Sequence, residues 1–331
     1  MAVFTEVSFE EADALLHQLG LGVLQDMSGC TGGIENTNYF VSTQHHGLRH
    51  DYVLTLFERL GFLQLPFYLR LMQHLAHKGI PVPEPHANAS GHLVFELKGK
   101  PACVVNRLRG KNELAPSPLH CTQVGSMLAK MHLAGQDFLQ HQPNLRGLAW
   151  WNSTVPTVLP YLDDSQSQLI QTELVYQNQV AAQIEDAQLP SGPIHADLFR
   201  DNVMFDTVDE QPVLGGFFDF YFAGVDTWVF DLAVALNDWC IDLATGEHHA
   251  KRAHHFIAGY EMVRPLNSEE RTLLPALLRA GALRFWISRL WDFYMPREAS
   301  MLKAHDPSHF ERILRHRVDD TNDYPTLFAI P

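Results

Sequence analysis

The chain has 331 residues, of which 46% are apolar and 19% are charged, and its formal net charge is −14. This acidic balance argues against nucleic acid or an anionic membrane as the main partner, because both require a basic protein surface. The length leaves room for one large domain or two lobes with a sizeable core. The apolar and charged fractions are ordinary for a soluble globular enzyme.

The cysteines and the N-terminus bear on the cellular compartment. The four cysteines, at positions 30, 103, 121 and 240, are irregularly spaced and include no C-x-x-C pair, so we expect free thiols in a reducing compartment. The N-terminus is acidic and lacks the basic-then-apolar pattern of a signal peptide. No stretch approaches the roughly 18 apolar residues of a membrane span. The sequence therefore predicts a cytoplasmic protein.

The first third of the chain is predicted to be rich in strands. Ser8 and Glu11 have the spacing of a capping box, which predicts a short helix. A small and polar run at 28–38 follows. Leu65–Lys78 has helical periodicity and is ended by Gly79 and several prolines. The predicted strands are Tyr39–Thr43, Asp51–Phe57, His92–Leu97 and Pro101–Arg107.

The remainder of the chain is predicted to be mainly helical. A connector with one glycine and two prolines follows Arg107, so we expect two lobes, 1–107 and 108–331. Short strand signals lie between Ile194 and Phe218. The predicted helices are Leu119–Leu139, Gln166–Gln188, Trp228–Leu243, Ala250–Val263 and Ser268–Tyr294.

The strongest chemical signal is the segment from His195 to Asn202, which has the pattern H-x-D-x-x-x-x-N. A further aspartate, Asp219, directly follows an apolar strand-like segment. Phosphoryl transfer needs a group that orients and deprotonates a hydroxyl, and it needs oxygen ligands for Mg²⁺. Asp197 can supply the first, Asn202 and Asp219 can supply the second, and His195 is placed to brace the loop. A carboxylate alone is more often a cap or turn residue, but this ordered set predicts a kinase.

The same order of motifs, continued by W-x-x-D-L-A from Trp228, resembles the aminoglycoside phosphotransferase and choline kinase group. That resemblance implies an α+β fold of the protein-kinase type, with a small antiparallel-sheet N-lobe carrying a helix and a larger, mainly helical C-lobe. It implies Asp197 and His195 as catalytic residues, with Asp197 the base. It also implies ATP and Mg²⁺ as cofactors, the metal bound by Asn202 and Asp219, and Asp231 as a structural carboxylate.

Five residues of the predicted N-lobe are candidates for nucleotide contacts. Glycines in the run 28–38 would let backbone N–H groups approach phosphates, although a plain hairpin turn is the alternative. A kinase-like lobe usually carries a lysine on the strand assigned to Asp51–Phe57, and Thr55 takes that place here. The next helix lacks the glutamate that usually pairs with this lysine. Arg59, Arg70 and Lys98 are candidates to replace the lysine, and the sequence does not distinguish between them. The candidate contacts are Gly32, Gly33, Asn36, Asn38 and Thr55.

Further segments resemble the homoserine kinase branch of this group, and this likeness covers nearly the whole chain. It implies phosphorylation of the hydroxyl of L-homoserine, in threonine biosynthesis. Homoserine has a carboxylate that suits an arginine, and Arg284 and Arg289 lie on an aromatic-rich predicted helix. The alternative is that these arginines face solvent. Asp201 is a weaker candidate for substrate contact. The segments are Met1–Thr5, Gly32–Phe40, Tyr52–Arg59 and Arg284–Leu290.

Other functions stay open at the level of the sequence. One alternative is a kinase for choline, ethanolamine, another amino alcohol or an aminoglycoside. Another is a nucleotide-binding pseudokinase-like protein, which the missing lysine and glutamate would suit. We expect L-homoserine as the partner, no nucleic acid, no membrane, and a monomer or homodimer.

Overall fold

A computed structural model of the chain describes residues 3–30, 36–295 and 305–319. The chain packs as two compact units. Unit 1 comprises residues 1–110 and 215–221, and unit 2 comprises residues 111–214 and 222–331. Among the described residues, no helix is long and apolar enough to cross a membrane. The lobe boundary expected at residue 107 stays a prediction.

Unit 1 is built on a five-stranded antiparallel sheet with the strand order β1-β2-β3-β5-β4. Its two helices are α1 (Phe9–Gln18) and α2 (Leu65–His77). The strands are β1 (Val23–Gly29), β2 (Asn36–His45), β3 (Leu48–Phe57), β4 (Phe95–Leu97) and β5 (Lys100–Asn106).

Helix α1 begins as the sequence predicts. The Ser8 hydroxyl accepts a hydrogen bond from the Glu11 backbone N–H, and the Glu11 carboxylate accepts one from the Ser8 N–H. These two bonds satisfy N–H groups that a helix start otherwise leaves unpaired. Leu15 and Leu16 are buried in one apolar cluster with Leu54 of β3. Helix α1 therefore covers the face of the sheet that carries Leu54.

The opposite face of the same sheet is partly polar and partly aromatic. Because side chains alternate along a strand, Thr55 points away from the α1 face. Its hydroxyl donates to the side-chain oxygen of Asn38 at 2.7 Å. Tyr221 lies edge-on to Phe57, with ring centroids 4.9 Å apart, and edge-on to Tyr68 of α2 at 6.0 Å. Unit 1 thus holds residues 215–221 by aromatic contacts.

Unit 2 is mainly helical, with two small antiparallel strand pairs. Strand β6 (Ser191–Ile194) pairs with β9 (Gly224–Thr227), and β7 (Val203–Val208) pairs with β8 (Gln211–Phe217), of which residues 211–214 belong to unit 2. Its described helices of more than one turn are α3 (Pro118–Ala134), α4 (Leu148–Val158), α5 (Asp164–Ala187), α6 (Trp228–Trp239), α7 (Ala250–Glu261), α8 (Ser268–Tyr294) and α9 (Ser308–Asp319).

Helices α3 and α7 cross in backbone contact at two glycines. A Cβ atom on Gly125 would lie 2.1 Å from the carbonyl oxygen of Phe256, and one on Gly259 would lie 2.2 Å from that of Thr122. Real Cβ atoms do not approach so closely, so both positions require glycine. This crossing brings His132 of α3 beside Tyr260 of α7, with ring centroids 5.7 Å apart.

The predicted elements agree with the structure where local signals are strong. Helix α8 has the predicted bounds, but the helix predicted at 119–139 ends at Ala134, where Gly135 caps it. The helix predicted from Trp228 ends at Trp239, since Ile241 forms a bridge with His248. Strand β1 was missed because it is a mostly exposed edge strand with little apolar alternation. The other elements missed are α4, β9 and α9.

Acid is expected to destabilise unit 2 through His248. Burial, followed by the charges of Arg317, His249 and Arg252, lowers the pKa of His248 from 6.5 to about 3. Above pH 6.5 the ring is neutral in both the folded and the unfolded chain. Below it only the unfolded chain binds the proton, so stability falls as the pH drops from 6.5 towards 3.

We expect His248 to remove about 1–2 kcal/mol of unfolding free energy between pH 7 and pH 5. Urea denaturation at both pH values measures this loss, and His248→Gln should reduce it. The matched control is His141→Gln at an exposed histidine of the same unit, which should keep the wild-type difference. An unchanged pH dependence in His248→Gln would contradict the assignment.

Candidate active site

The H-x-D-x-x-x-x-N segment forms a closed loop between β6 and β7 in unit 2. The main-chain oxygen of Asp197 accepts hydrogen bonds from the Asn202 side-chain nitrogen and the Phe199 N–H, both at 2.8 Å. The same Asn202 nitrogen lies 3.3 Å from the Asp197 carboxylate. The Asp197 N–H donates to Nδ1 of the fully buried His195 at 3.3 Å. These bonds fix the half-buried Asp197 carboxylate in place.

The backbone of this loop is strained and is held by a buried carboxylate. Ala196 has φ +63°, a left-handed conformation that destabilises a residue with a Cβ by roughly 1–2 kcal/mol. The N–H groups of His195 and Ala196 each donate to Asp231 at 2.8 Å. Asp231 is fully buried in the first turn of α6. The Asp231 carboxylate therefore stabilises a conformation that the loop would not adopt alone.

Asp231 is itself held by a histidine from another helix. His132 is fully buried, with Nε2 3.0 Å from the Asp231 carboxylate and Nδ1 2.8 Å from the Tyr260 hydroxyl. Burial alone would raise the pKa of Asp231, but the hydrogen bond and charge of His132 and the N–H of His195 outweigh it and lower that pKa. The ionised carboxylate is the form that accepts all of these bonds.

The hydrogen bonds continue from Tyr260 to the start of α8. Arg264 donates to the Tyr260 hydroxyl at 3.1 Å and to the fully buried Glu270 carboxylate at 2.7 Å. The guanidinium of Arg264 also lies 4.7 Å from the ring of Trp228, which stacks on His132 with centroids 5.6 Å apart. Buried polar contacts thus connect the loop to four helices, α6, α3, α7 and α8.

A second anchor lies at the other end of the loop. The backbone N–H and Nε of Arg200 both donate to the carboxylate of Asp238, at 2.8 and 3.1 Å. Another guanidinium nitrogen of Arg200 donates to the carbonyl of Leu114 at 2.9 Å. Arg200 is 4% exposed, so this ion pair is largely shielded from water. The loop is consequently held on both sides of Asp197.

Aromatic rings connect the loop to helices α8 and α9, where the predicted substrate arginines lie. Phe199 contacts Phe285 at 4.5 Å between centroids, and Phe285 stacks on Phe310 at 5.0 Å. The guanidinium of Arg284 lies 3.6 Å from the centroid of Phe285, and that of Arg289 lies 5.0 Å from Phe310. Both arginines are thus placed against rings that pack on the loop. The remaining substrate candidate, Asp201, is exposed.

The other candidates belong to unit 1. Asp219 follows β8 and has a left-handed backbone with φ +65°. The Thr55 hydroxyl donates a hydrogen bond to the Asn38 side chain, as described above, and Asn36 is the first residue of β2. Two candidates lie outside the described residues: Gly32 and Gly33.

The proposed replacements for the missing lysine have other contacts in unit 1. Arg70 donates to the carbonyl of Gly91 at 2.7 Å, Lys98 pairs with Glu11 at 2.6 Å, and Arg59 is exposed. A lysine–glutamate pair that the sequence did not reveal joins Lys100 to Glu58. The strand alternation places this pair on the α1 face, opposite to Thr55.

The chemistry of the predicted metal ligands suits Mg²⁺. Mg²⁺ prefers oxygen ligands and is usually bound by one or two protein carboxylates together with substrate phosphates. Asn202 uses its amide nitrogen to close the loop, so its amide oxygen is the atom left to bind a metal. Asp219 offers a carboxylate. Within the described part of the chain, no group of three or more His, Cys, Asp or Glu side chains forms a metal site.

The family follows from comparison with known proteins. A model of the phosphotransferase enzyme family matches residues 26–266, and the chain belongs to that family. A homoserine kinase of Polaromonas naphthalenivorans (strain CJ2) is 64% identical over 318 residues, which are 96% of this chain and 98% of that protein. A homoserine kinase of Cupriavidus pinatubonensis is 54% identical over 327 residues, 99% of both chains.

Solved structures show the fold. Amicoumacin kinase hAmiN, determined with AMP-PNP, Ca²⁺ and Ami, has a TM-score of 0.64 at 16% identity and covers 93% of both chains. A choline kinase from Cryptosporidium parvum Iowa II has a TM-score of 0.62 at 12% identity, covering 89% of this chain and 88% of that one. The predicted α+β fold of the protein-kinase type is confirmed.

Proposed function

We propose that this chain transfers the γ-phosphoryl group of ATP to the hydroxyl of L-homoserine, forming O-phospho-L-homoserine for threonine biosynthesis. The observation that carries the choice of substrate is the 64% identity to a homoserine kinase over 96% of this chain. The closed loop around Asp197 supports the reaction type, because phosphoryl transfer depends mainly on positioning and electrostatics.

In the proposed mechanism, Asp197 acts as the base. Its carboxylate accepts the hydroxyl proton of homoserine while the hydroxyl oxygen forms a bond to the γ-phosphorus. The bond from that phosphorus to the bridging oxygen breaks, and ADP leaves. The contacts of Asn202, His195 and Asp231 support this role, because they hold the loop that carries Asp197.

We assign Mg²⁺ binding to Asn202 and Asp219. The bound ion would neutralise charge on the nucleotide phosphates, which lowers the barrier to transfer. The contacts proposed for the nucleotide are Gly32, Gly33, Asn36, Asn38 and Thr55. We further expect a cytoplasmic enzyme, monomeric or homodimeric, without nucleic acid or membrane partners.

The alternative acceptors have less support. Choline, ethanolamine and the aminoglycosides are cations, whereas Arg284 is a buried positive charge beside the loop. A nucleotide-binding protein without turnover would have no use for an Asp197 held so closely.

An ADP-release assay with MgATP tests the proposal. The acceptors would be L-homoserine, L-serine, L-threonine, choline, ethanolamine and kanamycin. We expect turnover that is strong with L-homoserine and weak with the rest. Turnover with a different alcohol would overturn the substrate but keep the reaction type, and tight ATP binding without any turnover would favour the binding-protein function.

A further inference from the structure

Arg284 is a buried positive charge that forms no salt bridge with the described residues, although the charges of Asp197 and Asp292 act on it from farther away. It is 2% exposed, and its Nη2 atom has no hydrogen-bond partner. Burying an unpaired guanidinium destabilises a fold by several kcal/mol. Three other arginines of unit 2 are each paired with a carboxylate, Arg200 with Asp238, Arg264 with Glu270, and Arg279 with Glu173. Arg284 has no such carboxylate within salt-bridge distance among the described residues, so an anionic group of a ligand can take that place.

A second arginine lies against the same aromatic ring. The guanidinium of Arg284 is 4.9 Å from the centroid of Phe222, and that of Arg146 is 6.0 Å from it. Arg146 also lies 4.4 Å over Trp150. Burial lowers the pKa of Arg284 to about 10, the Asp197 charge opposes this shift, and the Arg146 charge adds to it. An anion between the two guanidinium groups would relieve their repulsion.

Arg284 lies near the loop that carries the residue proposed as the base. Arg284 lies on Phe285, which contacts Phe199, and Phe199 is two residues after Asp197 in the same loop. Arg289 differs, because it is only half-buried and lies on Phe310. A small substrate could thus present its hydroxyl to Asp197 and an anionic group to Arg284 and Arg146.

We propose that Arg284 and Arg146 bind the α-carboxylate of the amino-acid substrate against the ring of Phe222, and that they select hydroxy amino acids over amino alcohols without a carboxylate. The inference rests on the proposed function and adds Arg146 as a specificity-determining residue. Paired guanidinium groups suit a carboxylate because each can donate two parallel hydrogen bonds.

The test compares L-homoserine with 3-amino-1-propanol, which is the same molecule without its carboxylate. We expect Arg284→Met to lower kcat/KM for L-homoserine by about 100-fold and Arg146→Met by about 10-fold, chiefly through KM. Turnover of 3-amino-1-propanol should change less than about threefold, because that substrate never used the arginines. The KM for ATP should be unaffected. Arg315→Met, which removes a partly exposed charge paired with Glu311 on α9, is the control and should change the turnover of neither compound.

The outcomes separate the two proposals. If the wild type fails to phosphorylate L-homoserine, the proposed function is wrong, and calorimetric titration with both compounds still tests the carboxylate site without turnover. An Arg284→Met protein that discriminates between the two compounds as the wild type does would overturn the inference. So would a selective loss for L-homoserine in Arg289→Met alone. Should Arg284→Met fail to fold, Arg146→Met carries the same comparison.

Discussion

Asp197→Asn is expected to lower kcat with L-homoserine by about 1,000-fold while nucleotide affinity stays within about twofold of the wild type. Asparagine has nearly the same shape, so it can keep the contact with the Asn202 side chain that the structure shows at 3.3 Å. It cannot accept the hydroxyl proton. The loss should therefore fall on the chemical step and leave ground-state binding almost unchanged.

Steady-state kinetics and calorimetric titration with MgADP measure the two quantities separately. The matched control is Asp206→Asn, nine positions later on β7, where the carboxylate is exposed. We expect this variant to keep wild-type kcat. If Asp197→Asn retained more than about a tenth of wild-type kcat, the assignment of the base would be wrong.

Asp231→Asn should lower both stability and turnover. The carboxylate accepts two backbone N–H groups and the His132 ring, and an amide would direct its own N–H₂ at one of these donors. Breaking such a buried charged network typically reduces the unfolding free energy by about 3–5 kcal/mol. Loosening the loop that carries Asp197 should also reduce kcat by about 100-fold, because small misplacements of a catalytic group are that harmful.

Urea denaturation and kcat under native conditions measure these two effects. Glu270→Gln is the matched comparison, because Glu270 is also a fully buried carboxylate and lies at the far end of the same hydrogen-bonded chain. We expect it to lower stability with a much smaller loss of kcat. Equal losses of kcat in the two variants would mean that Asp231 acts on stability alone, with no specific role in positioning the loop.

The sequence reveals those parts of the fold that depend on neighbouring residues. The α1 start follows from Ser8 and Glu11, and the bounds of α8 follow from its N-terminal cap and apolar pattern. The loop from His195 to Asn202 is also local, since its closing bonds join residues only a few positions apart. A short motif can therefore indicate this part of the candidate site without knowledge of the packing.

The sequence does not reveal partners that are far apart along the chain. His132 and Asp231 are 99 positions apart, and nothing around His132 distinguishes it from other helical histidines. Arg146 was missed because its place beside Phe222 depends on the packing of unit 2. The choice between Arg284 and Arg289 depends on how deeply each side chain is buried. The apolar pattern of the helix does not give this for two arginines five positions apart.

The crossing of α3 and α7 at Gly125 and Gly259 sets the position of His132, which holds the loop through Asp231. Even a single methyl group there would push the helices apart and shift His132 relative to Tyr260. A laboratory screen for activity would then score Gly259→Ala as an active-site mutation, although no atom of Gly259 touches a substrate. The requirement for glycine at both positions therefore reaches the catalytic loop through the spacing of two helices.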